Sequence, residues 1–294
     1  MSFHQHRASV LAQRQLARNT YLIRLHCPPV AKAIRPGQFV MLRLVGTSDP
    51  LLGRPYALYD TVLDERGEPV GIDVVYLVVG KQTSRLTALK PDEAIDVWGP
   101  LGNGFPEPAC GARLERAETP STERHVSNVP HGIVALVAGG IGQTPFLAHI
   151  RELLGTRGYA GHAARRRVQQ VNLYYGVRTA DLAAGVDDFR AAGAIVHLAS
   201  NDGSLGHHGF ITDLLATHDA PQHIFGCGPE PMLHALSDQA IQRGIPCHLS
   251  LETPMACGVG ICFSCVTRVK TADGEDYKRV CVDGPVFDAR GLVW

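Results

Sequence analysis

A group of cysteines near the C-terminal end is the feature that most constrains this chain. Four of its eight cysteines follow the spacing C-x4-C-x2-C-x15-C, at Cys257, Cys262, Cys265 and Cys281, and the others are scattered singly. A disulfide framework spreads its cysteines through a small secreted domain, whereas a metal or cluster site groups them. The grouping therefore predicts a metal or cluster site in the last fifty residues.

The spacing favours one kind of site. A plant-type [2Fe-2S] cluster takes three thiolates from a C-x4-C-x2-C loop and a fourth from further on. Gly258 and Gly260 lie between the first two cysteines, where a missing side chain lets the backbone approach the sulfur atoms. Four-cysteine zinc is the alternative, but zinc sites usually present paired C-x2-C units. We predict a [2Fe-2S] cluster with all four cysteines as ligands.

Length and charge exclude several classes of protein. With 294 residues the chain is too long for one typical core, so two or three domains are expected. It has 28 Lys and Arg against 28 Asp and Glu, and this balance disfavours nucleic-acid binding. Its longest apolar run is far shorter than the roughly 20 residues of a spanning helix, and its N-terminus carries charges where an export signal would be apolar. We predict a soluble cytoplasmic protein without membrane contact.

The first hundred residues have the pattern of short strands separated by turns, without helices. β-Branched and aromatic runs occur at 21–25, 38–44, 71–79 and 94–98, and strands at this spacing predict a small antiparallel β-barrel. Residues 107–131 lose this periodicity and collect Pro, Ser, Thr, Glu and Arg, which indicates a linker or loop insertion.

From residue 132 the pattern alternates between strand and helix, as in an α/β domain with an open, mostly parallel sheet. The predicted fold class is therefore multidomain: an antiparallel β-barrel, an α/β parallel-sheet domain and a small cluster domain. The predicted boundaries are 1–106 for the barrel, 107–131 for the linker, 132–246 for the α/β domain and 247–294 for the cluster domain.

Two glycine-rich turns in the α/β part each follow a strand and precede a helix. They are AGGIGQTP at 138–145 and FGCGPEPM at 225–232. A turn at this place lets backbone amides and a helix N-terminus face the diphosphate of a dinucleotide. The spacing of the Rossmann fingerprint is missing, so each turn alone is a weak signal, and the pair is a stronger one.

The order of motifs resembles the ferredoxin reductase-like flavoprotein superfamily. The sequence runs from RPYALYD (54–60), VVGKQT (78–83) and GPLGNGF (99–105) to the two glycine-rich turns. The tail, SLETPMACGVGICFSCVTRV followed by KRVCVDGPVFDA, is similar more narrowly to the electron transfer subunits of class B dihydroorotate dehydrogenases. The resemblance covers nearly the whole chain.

This resemblance implies an FAD site in the barrel. Arg54 would bind the diphosphate as a bidentate cation and Tyr56 would pack against the isoalloxazine. Family members often have Ser or Thr at the position of Ala57, and a glycine at the position of Gln82. The residues that the resemblance assigns to FAD are Arg54, Pro55, Tyr56, Ala57, Lys81, Gln82 and Thr83.

The resemblance also implies an NAD site in the α/β domain. Its residues would be Gly139, Gly140, Gly142, Thr144 and Pro145 from the first turn and Gly226, Gly228, Pro229 and Met232 from the second. Arg178 and Asp202 are weaker candidates for ribose or adenosine contacts, and ordinary loop positions are the alternative for both.

The implied function is electron transfer, with no catalytic acid or base required of the chain. Dihydroorotate would be oxidised at the FMN of a separate catalytic subunit, in a heterotetramer of two copies of each. Electrons would cross the [2Fe-2S] cluster to FAD and leave on NAD, in pyrimidine biosynthesis. Two alternatives stay open: an NAD(P)H:acceptor reductase subunit of another redox complex, and a zinc-stabilised binding module that would be colourless.

Overall fold

The computed structural model describes residues 4–108 and 132–294. Its first domain is a seven-stranded, wholly antiparallel sheet in the order β4-β3-β7-β1-β2-β6-β5. The strands are β1 (His4–Ala17), β2 (Thr20–His26), β3 (Phe39–Leu44), β4 (Arg54–Ala57), β5 (Asp60–Leu63), β6 (Pro69–Leu77) and β7 (Ala94–Leu101).

This sheet closes into a barrel through a two-residue connection. β4 and β5 occupy opposite edges of the sheet, yet only Leu58 and Tyr59 separate them in the chain. Because two residues span so little distance, the two edges must lie side by side. Val10, Ile23 and Leu42 are completely buried inside. The predicted antiparallel barrel is confirmed.

The prediction that this region has no helices is wrong. Two helices of six residues interrupt the strands, α1 (Pro28–Ala33) and α2 (Lys81–Leu86). Helix α1 begins with two prolines, whose fixed φ suits the first helical turn. Neither helix is long enough to show a repeating apolar face, which is the signal that sequence analysis uses.

Strand β1 was not predicted, although this strand has 14 residues and pairs with both β2 and β7. Only Ala8 and Val10 of this strand are buried, and its other positions, which are mostly polar, are exposed or partly exposed. A strand with so few buried positions lacks the regular alternation that predicts a half-buried strand.

The second domain confirms the predicted α/β parallel sheet. Its order is β11-β10-β9-β8-β12-β13-β16, parallel throughout except for the last pair. The strands are β8 (Ile133–Gly139), β9 (Gln170–Val177), β10 (Ile195–Ser200), β11 (His207–His208), β12 (His223–Cys227), β13 (Cys247–Ser250) and β16 (Val286–Asp288). The helices are α3 (Phe146–Leu154), α4 (Val186–Ala191), α5 (Ile211–Ala216) and α6 (Glu230–Gln242).

The cysteine-rich segment leaves this sheet and returns to it. It departs after β13, forms a two-stranded hairpin of β14 (Val266–Thr271) and β15 (Gly274–Arg279), and re-enters the sheet as β16. Most of the predicted linker, 109–131, lies outside the described residues. Within the described parts of the chain, no helix combines the length and hydropathy that a membrane crossing needs.

Candidate active site

Two clefts lie side by side between the domains. Each has a volume of about 690 Å³, within the range of small-molecule sites. Leu77, Ile141 and Glu252 line both clefts. Because they share a wall, ligands in the two clefts would lie next to each other.

The first cleft gathers every barrel residue predicted to bind FAD. Tyr56 is 8% exposed, stands edge-on to Tyr76 with ring centroids 6.2 Å apart, and has its pKa raised by burial. Both rings line the cleft and give it apolar aromatic surface, against which a planar aromatic ligand can pack. The predicted residues that line it are Arg54, Pro55, Tyr56, Ala57, Lys81, Gln82 and Thr83.

The departure from the family pattern at Gln82 has a structural explanation. The Gln82 side chain is 4% exposed and its amide nitrogen donates to the Leu42 carbonyl of β3 over 2.8 Å. The side chain thus braces the barrel, and the backbone at the start of α2 still lines the cleft.

Two polar residues of α2 that were predicted to contact FAD, Lys81 and Thr83, both make local contacts in this structure. The Thr83 hydroxyl accepts from the backbone N–H groups of Val79 and Gly80, each over 3.0 Å, and so caps the helix start. Lys81 Nζ pairs with Asp49 Oδ2 over 2.6 Å, and both side chains are exposed. The ammonium group therefore stands at the rim of the cleft, with an anionic partner already beside it.

Arg54 also lies at this rim. It is exposed, and its Nη1 donates to the carbonyls of Leu52 and Gly53, both over 3.0 Å. The guanidinium is held by its own loop beside the opening of the cleft.

The second cleft is built from the two glycine-rich turns, which touch each other. A Cβ at Gly142 would stand 2.3 Å from the carbonyl oxygen of Cys227, and one at Gly139 would stand 2.7 Å from Pro229 Cδ. Gly140 has φ +55° and open space at its Cβ position. The contact between the turns thus requires two of these glycines, while Gly140 leaves the backbone open to a ligand. Gly139, Gly140, Gly142, Gly228, Pro229 and Met232 line this cleft.

Three predicted NAD residues lie elsewhere. Thr144 lines the first cleft, and Pro145 is the N-cap of α3, outside the lining of both clefts. Gly226 lies inside β12, where a Cβ would meet the side chains of Leu236 and Leu249 at 2.6 Å. Its role in this structure is core packing between the sheet and α6.

The second cleft is also lined by the predicted Arg178 and by Asn201 and Phe210, which were not predicted. Phe210 is 65% exposed, so its ring is available for stacking. The other weak candidate, Asp202, is outside the lining and accepts from the Ser204 hydroxyl over 2.6 Å.

Sequence analysis also assigned no role to Cys227 or Glu252. Cys227 is 3% exposed, lines the first cleft and has a pKa raised by burial. Glu252 lines both clefts, and burial among protein atoms raises its pKa also. Cys227 ends a parallel strand and Glu252 closely follows another. Ligands of open α/β sheets bind at the carboxyl ends of the strands, so the predicted strand ends could have identified both residues.

The four clustered cysteines form two contacting pairs, Cys257 with Cys262 and Cys265 with Cys281. Hydrogen bonding from Ser264, then contact with Cys257, lowers the pKa of Cys262 to about 6, whereas burial and then Cys265 raise that of Cys281 to about 12. Among the described residues no three His, Cys, Asp or Glu side chains are grouped closely enough to bind one metal ion. Two pairs of thiols are the donor set that a two-iron cluster with four cysteines requires.

The loop that carries these cysteines rests on the barrel. Trp98 Nε1 of β7 donates to the Cys257 carbonyl over 3.1 Å. Gly258 has φ +75°, and a Cβ there would stand 2.7 Å from Met41 Cγ of β3. Met255 lines the first cleft and is two residues, at most about 7 Å of chain, from Cys257.

A barrel joined to a parallel sheet, with a cleft between them and a cysteine loop against the barrel, defines a ferredoxin reductase-like electron-transfer protein with an iron–sulfur domain. One solved structure, an NADH-dependent reduced ferredoxin-NADP oxidoreductase, matches with a TM-score of 0.76 and 27% identity, covering 98% of this chain and 90% of that one. The ferredoxin reductase of carbazole 1,9a-dioxygenase matches in fold, with a TM-score of 0.63 and 20% identity over 85% of this chain and 69% of its own.

The sequence comparisons are more specific. Residues 252–293 match the iron–sulfur cluster binding domain of dihydroorotate dehydrogenase B. The electron transfer subunit of dihydroorotate dehydrogenase B from Geobacillus thermodenitrificans is 36% identical over 288 residues, 98% of each chain. The subunit from Desulforamulus reducens is 32% identical over 291 residues, 98% of this chain and 97% of its own. The chain belongs to the family of dihydroorotate dehydrogenase B electron transfer subunits.

Proposed function

We propose that this chain carries electrons from dihydroorotate, oxidised at a partner subunit, to NAD+ in pyrimidine biosynthesis. One observation carries the proposal: the segment that lines the first cleft, through Glu252 and Met255, runs directly into the cysteine loop at Cys257. An electron arriving at the cysteines is thus separated from the cleft by a few residues of packed chain.

The first cleft suits FAD, which when bound exchanges a hydride with nicotinamide and single electrons with a cluster. Tyr56 would face the isoalloxazine, and Arg54 and Lys81 would approach the diphosphate from the rim. Lys81 would exchange Asp49 for a phosphate oxygen. The four cysteines would hold the [2Fe-2S] cluster.

The second cleft suits NAD. The open backbone at Gly140 would approach the diphosphate, and Phe210 would stack on the adenine beside Arg178. The nicotinamide would then lie at the shared wall of Leu77, Ile141 and Glu252. At that wall it would be in reach of the isoalloxazine.

The partner would be the FMN-containing catalytic subunit, two copies of which would assemble with two copies of this chain. The name of the relatives, electron transfer subunit, itself implies a separate catalytic subunit. The cysteine loop gives that partner a place to dock, because Cys262 is exposed while Cys265 and Cys281 are buried beneath it.

Cofactor content is the first test. Protein purified anaerobically should be brown-yellow, with about two irons and one FAD per chain. Cys257→Ser should lose the iron, whereas Cys247→Ser, which changes a buried cysteine outside the group, should keep it. Zinc in place of iron would contradict the electron-transfer role.

The partner is the second test. Dihydroorotate should reduce NAD+ only when the catalytic subunit is added to this chain. Reduction of NAD+ by dihydroorotate with this chain alone would contradict the proposal that dihydroorotate is oxidised at a separate subunit.

A further inference from the structure

Both clefts are lined by residues of the barrel and of the α/β domain, so the distance between their ligands depends on how the two domains are held. Leu77 belongs to the barrel, and Ile141 belongs to the turn after β8 of the α/β domain. Hydride transfer requires the two reacting rings in contact, and a displacement of 1 Å can cost about a hundredfold in rate. A contact that fixes the domain arrangement would therefore control this step.

One barrel segment makes such a contact. Arg54–Ala57 lines the first cleft, and the next residues reach across to the other domain. The Tyr59 carbonyl accepts from the Ala148 N–H over 3.0 Å, in the first turn of α3. The Tyr59 hydroxyl donates to Asp188 Oδ2 of α4 over 2.9 Å.

Asp60 is the centre of this contact. Its side chain is buried, and its Oδ2 accepts from Arg157 Nη1 over 2.7 Å and also from Arg151. Its Oδ1 accepts from the Tyr159 hydroxyl over 2.8 Å. Arg157 donates further to the Thr61 carbonyl over 2.7 Å. Two guanidinium groups and a phenol of the α/β domain thus converge on one carboxylate of the barrel.

Asp60 is close in sequence to residues that line the first cleft, where the flavin is proposed to bind. Asp60 follows Ala57 by three residues, at most about 11 Å of chain. Because Asp60 begins β5 and Ala57 ends β4, a shift of the α/β domain against Asp60 acts on the strand that lines the cleft.

We propose that Asp60 is a positioning residue that sets the distance between the flavin and nicotinamide sites. The proposal rests on the proposed function, because it concerns hydride transfer between those two sites. Asp60 lies outside the lining of both clefts. Its effect would pass through Arg151, Arg157 and Tyr159.

The barrel contains a matched control. Asp96 is buried to the same degree, 3% exposed like Asp60, and also receives two guanidinium groups. Arg7 Nε and Arg43 Nη2 each donate to it over 2.8 Å. Arg7, Arg43 and Asp96 lie on the barrel strands β1, β3 and β7, so these ion pairs stay within the barrel and do not connect it to the α/β domain.

The test compares Asp60→Asn with Asp96→Asn in the protein loaded with FAD and its cluster. Stopped-flow mixing with NADH measures the rate of flavin reduction at saturation, and titration with ADP-ribose measures binding to the α/β domain alone. We expect both variants to lose thermal stability, and only Asp60→Asn to slow flavin reduction, by about tenfold or more. FAD content and ADP-ribose affinity should stay within about twofold of wild type in both.

Equal rates of flavin reduction in the two variants would overturn the proposal and leave Asp60 a purely structural ion-pair partner. Tyr159→Phe removes one donor to Asp60 and keeps both arginines, so it serves if Asp60→Asn fails to fold. That variant should slow flavin reduction measurably, and an unchanged rate would overturn the proposal. If NADH fails to reduce the flavin of the wild-type protein, the proposed function itself is wrong, and the inference falls with it.

Discussion

At the scale of single residues, a column of aromatic and imidazole rings runs from Phe105, after the last barrel strand, into the α/β domain. Phe105 stacks on His149 with centroids 4.4 Å apart, and His149 meets Phe225 at 4.7 Å. Phe225 stacks on His223 at 4.3 Å, and His223 Nε2 lies 2.9 Å from His248 Nδ1. Rings in such a column pack well only when the imidazoles are neutral, because a buried charge is costly.

This column makes stability depend on pH. Burial, followed by the charges of His248 and His149 and opposed by Asp288, lowers the pKa of His223 to about 3. In the unfolded chain a histidine takes up its proton near pH 6.5, so below that pH the unfolded state binds more protons. The stabilisation is thus complete above about pH 6.5 and is lost as the pH falls toward the folded pKa.

We expect the free energy of unfolding to fall by up to about 1.4 kcal/mol per pH unit from His223, between about pH 6 and pH 4. Urea unfolding followed by circular dichroism at a series of pH values measures this slope. His223→Phe should make it less steep, whereas His26→Phe, at an exposed position, should leave it unchanged. Burial also lowers the pKa of His149, His197 and His248, so part of the slope should remain in His223→Phe. An undiminished slope in that variant would contradict the role of His223.

At the scale of elements, the start of α2 depends on one side chain. The helix has six residues, and the Thr83 hydroxyl satisfies two backbone N–H groups at its start. So short a helix has little stability of its own, and its position at the first cleft depends on this cap and on packing.

Thr83→Val should therefore lower the free energy of unfolding by about 1 kcal/mol and speed FAD release, because the cap is lost while the side-chain shape is kept. Urea unfolding and the recovery of free flavin fluorescence measure the two effects. Thr87→Val is the control on the same helix, since its hydroxyl donates to the Ser84 carbonyl over 2.7 Å, away from the cleft. An equal release rate in both variants would contradict the role of the cap.

The sequence was sufficient for features that are local. The apolar run at Gln38 to Leu44 predicts β3, and the cysteine spacing predicts the cluster loop. The contact of Asp60 with Arg157 is different, because 97 positions separate the two residues and neither carries a motif. Cys227 and Glu252 each lie at the carboxyl end of a parallel strand, and only the folded sheet shows that these two strand ends meet at one cleft.

At the scale of the whole molecule, the cysteine loop presents an apolar surface to solvent. Ile261, Phe263 and Val282 are 77%, 62% and 42% exposed around Cys262. Phe263 has φ +55°, which is strained for an aromatic residue, and the Arg279 guanidinium lies 5.2 Å from its ring centroid. Strain of this kind concentrates at functional sites, and this surface suits the docking of the catalytic subunit.

Phe263→Asp should weaken binding to that subunit at least tenfold, because aromatic anchors at the centre of an interface carry most of its affinity. Affinity can be measured by surface plasmon resonance, with iron and FAD contents confirming an intact chain. Ile195→Asp, which changes a residue 48% exposed at the start of β10, is the control and should bind normally. Equal weakening by both changes would place the docking surface elsewhere.

The return of the cysteine-rich segment to its own sheet has a mechanical consequence. Ser250 of β13 and Val286 of β16 are paired neighbours, so the segment is fastened at both ends to one sheet edge. A carrier on a single flexible linker could move between donor and acceptor. This segment is instead tied at two adjacent points and also packs against Trp98 and Met41 of the barrel, so it is held in one place. The cysteines would therefore keep a fixed position, and the electron donor has to dock beside them.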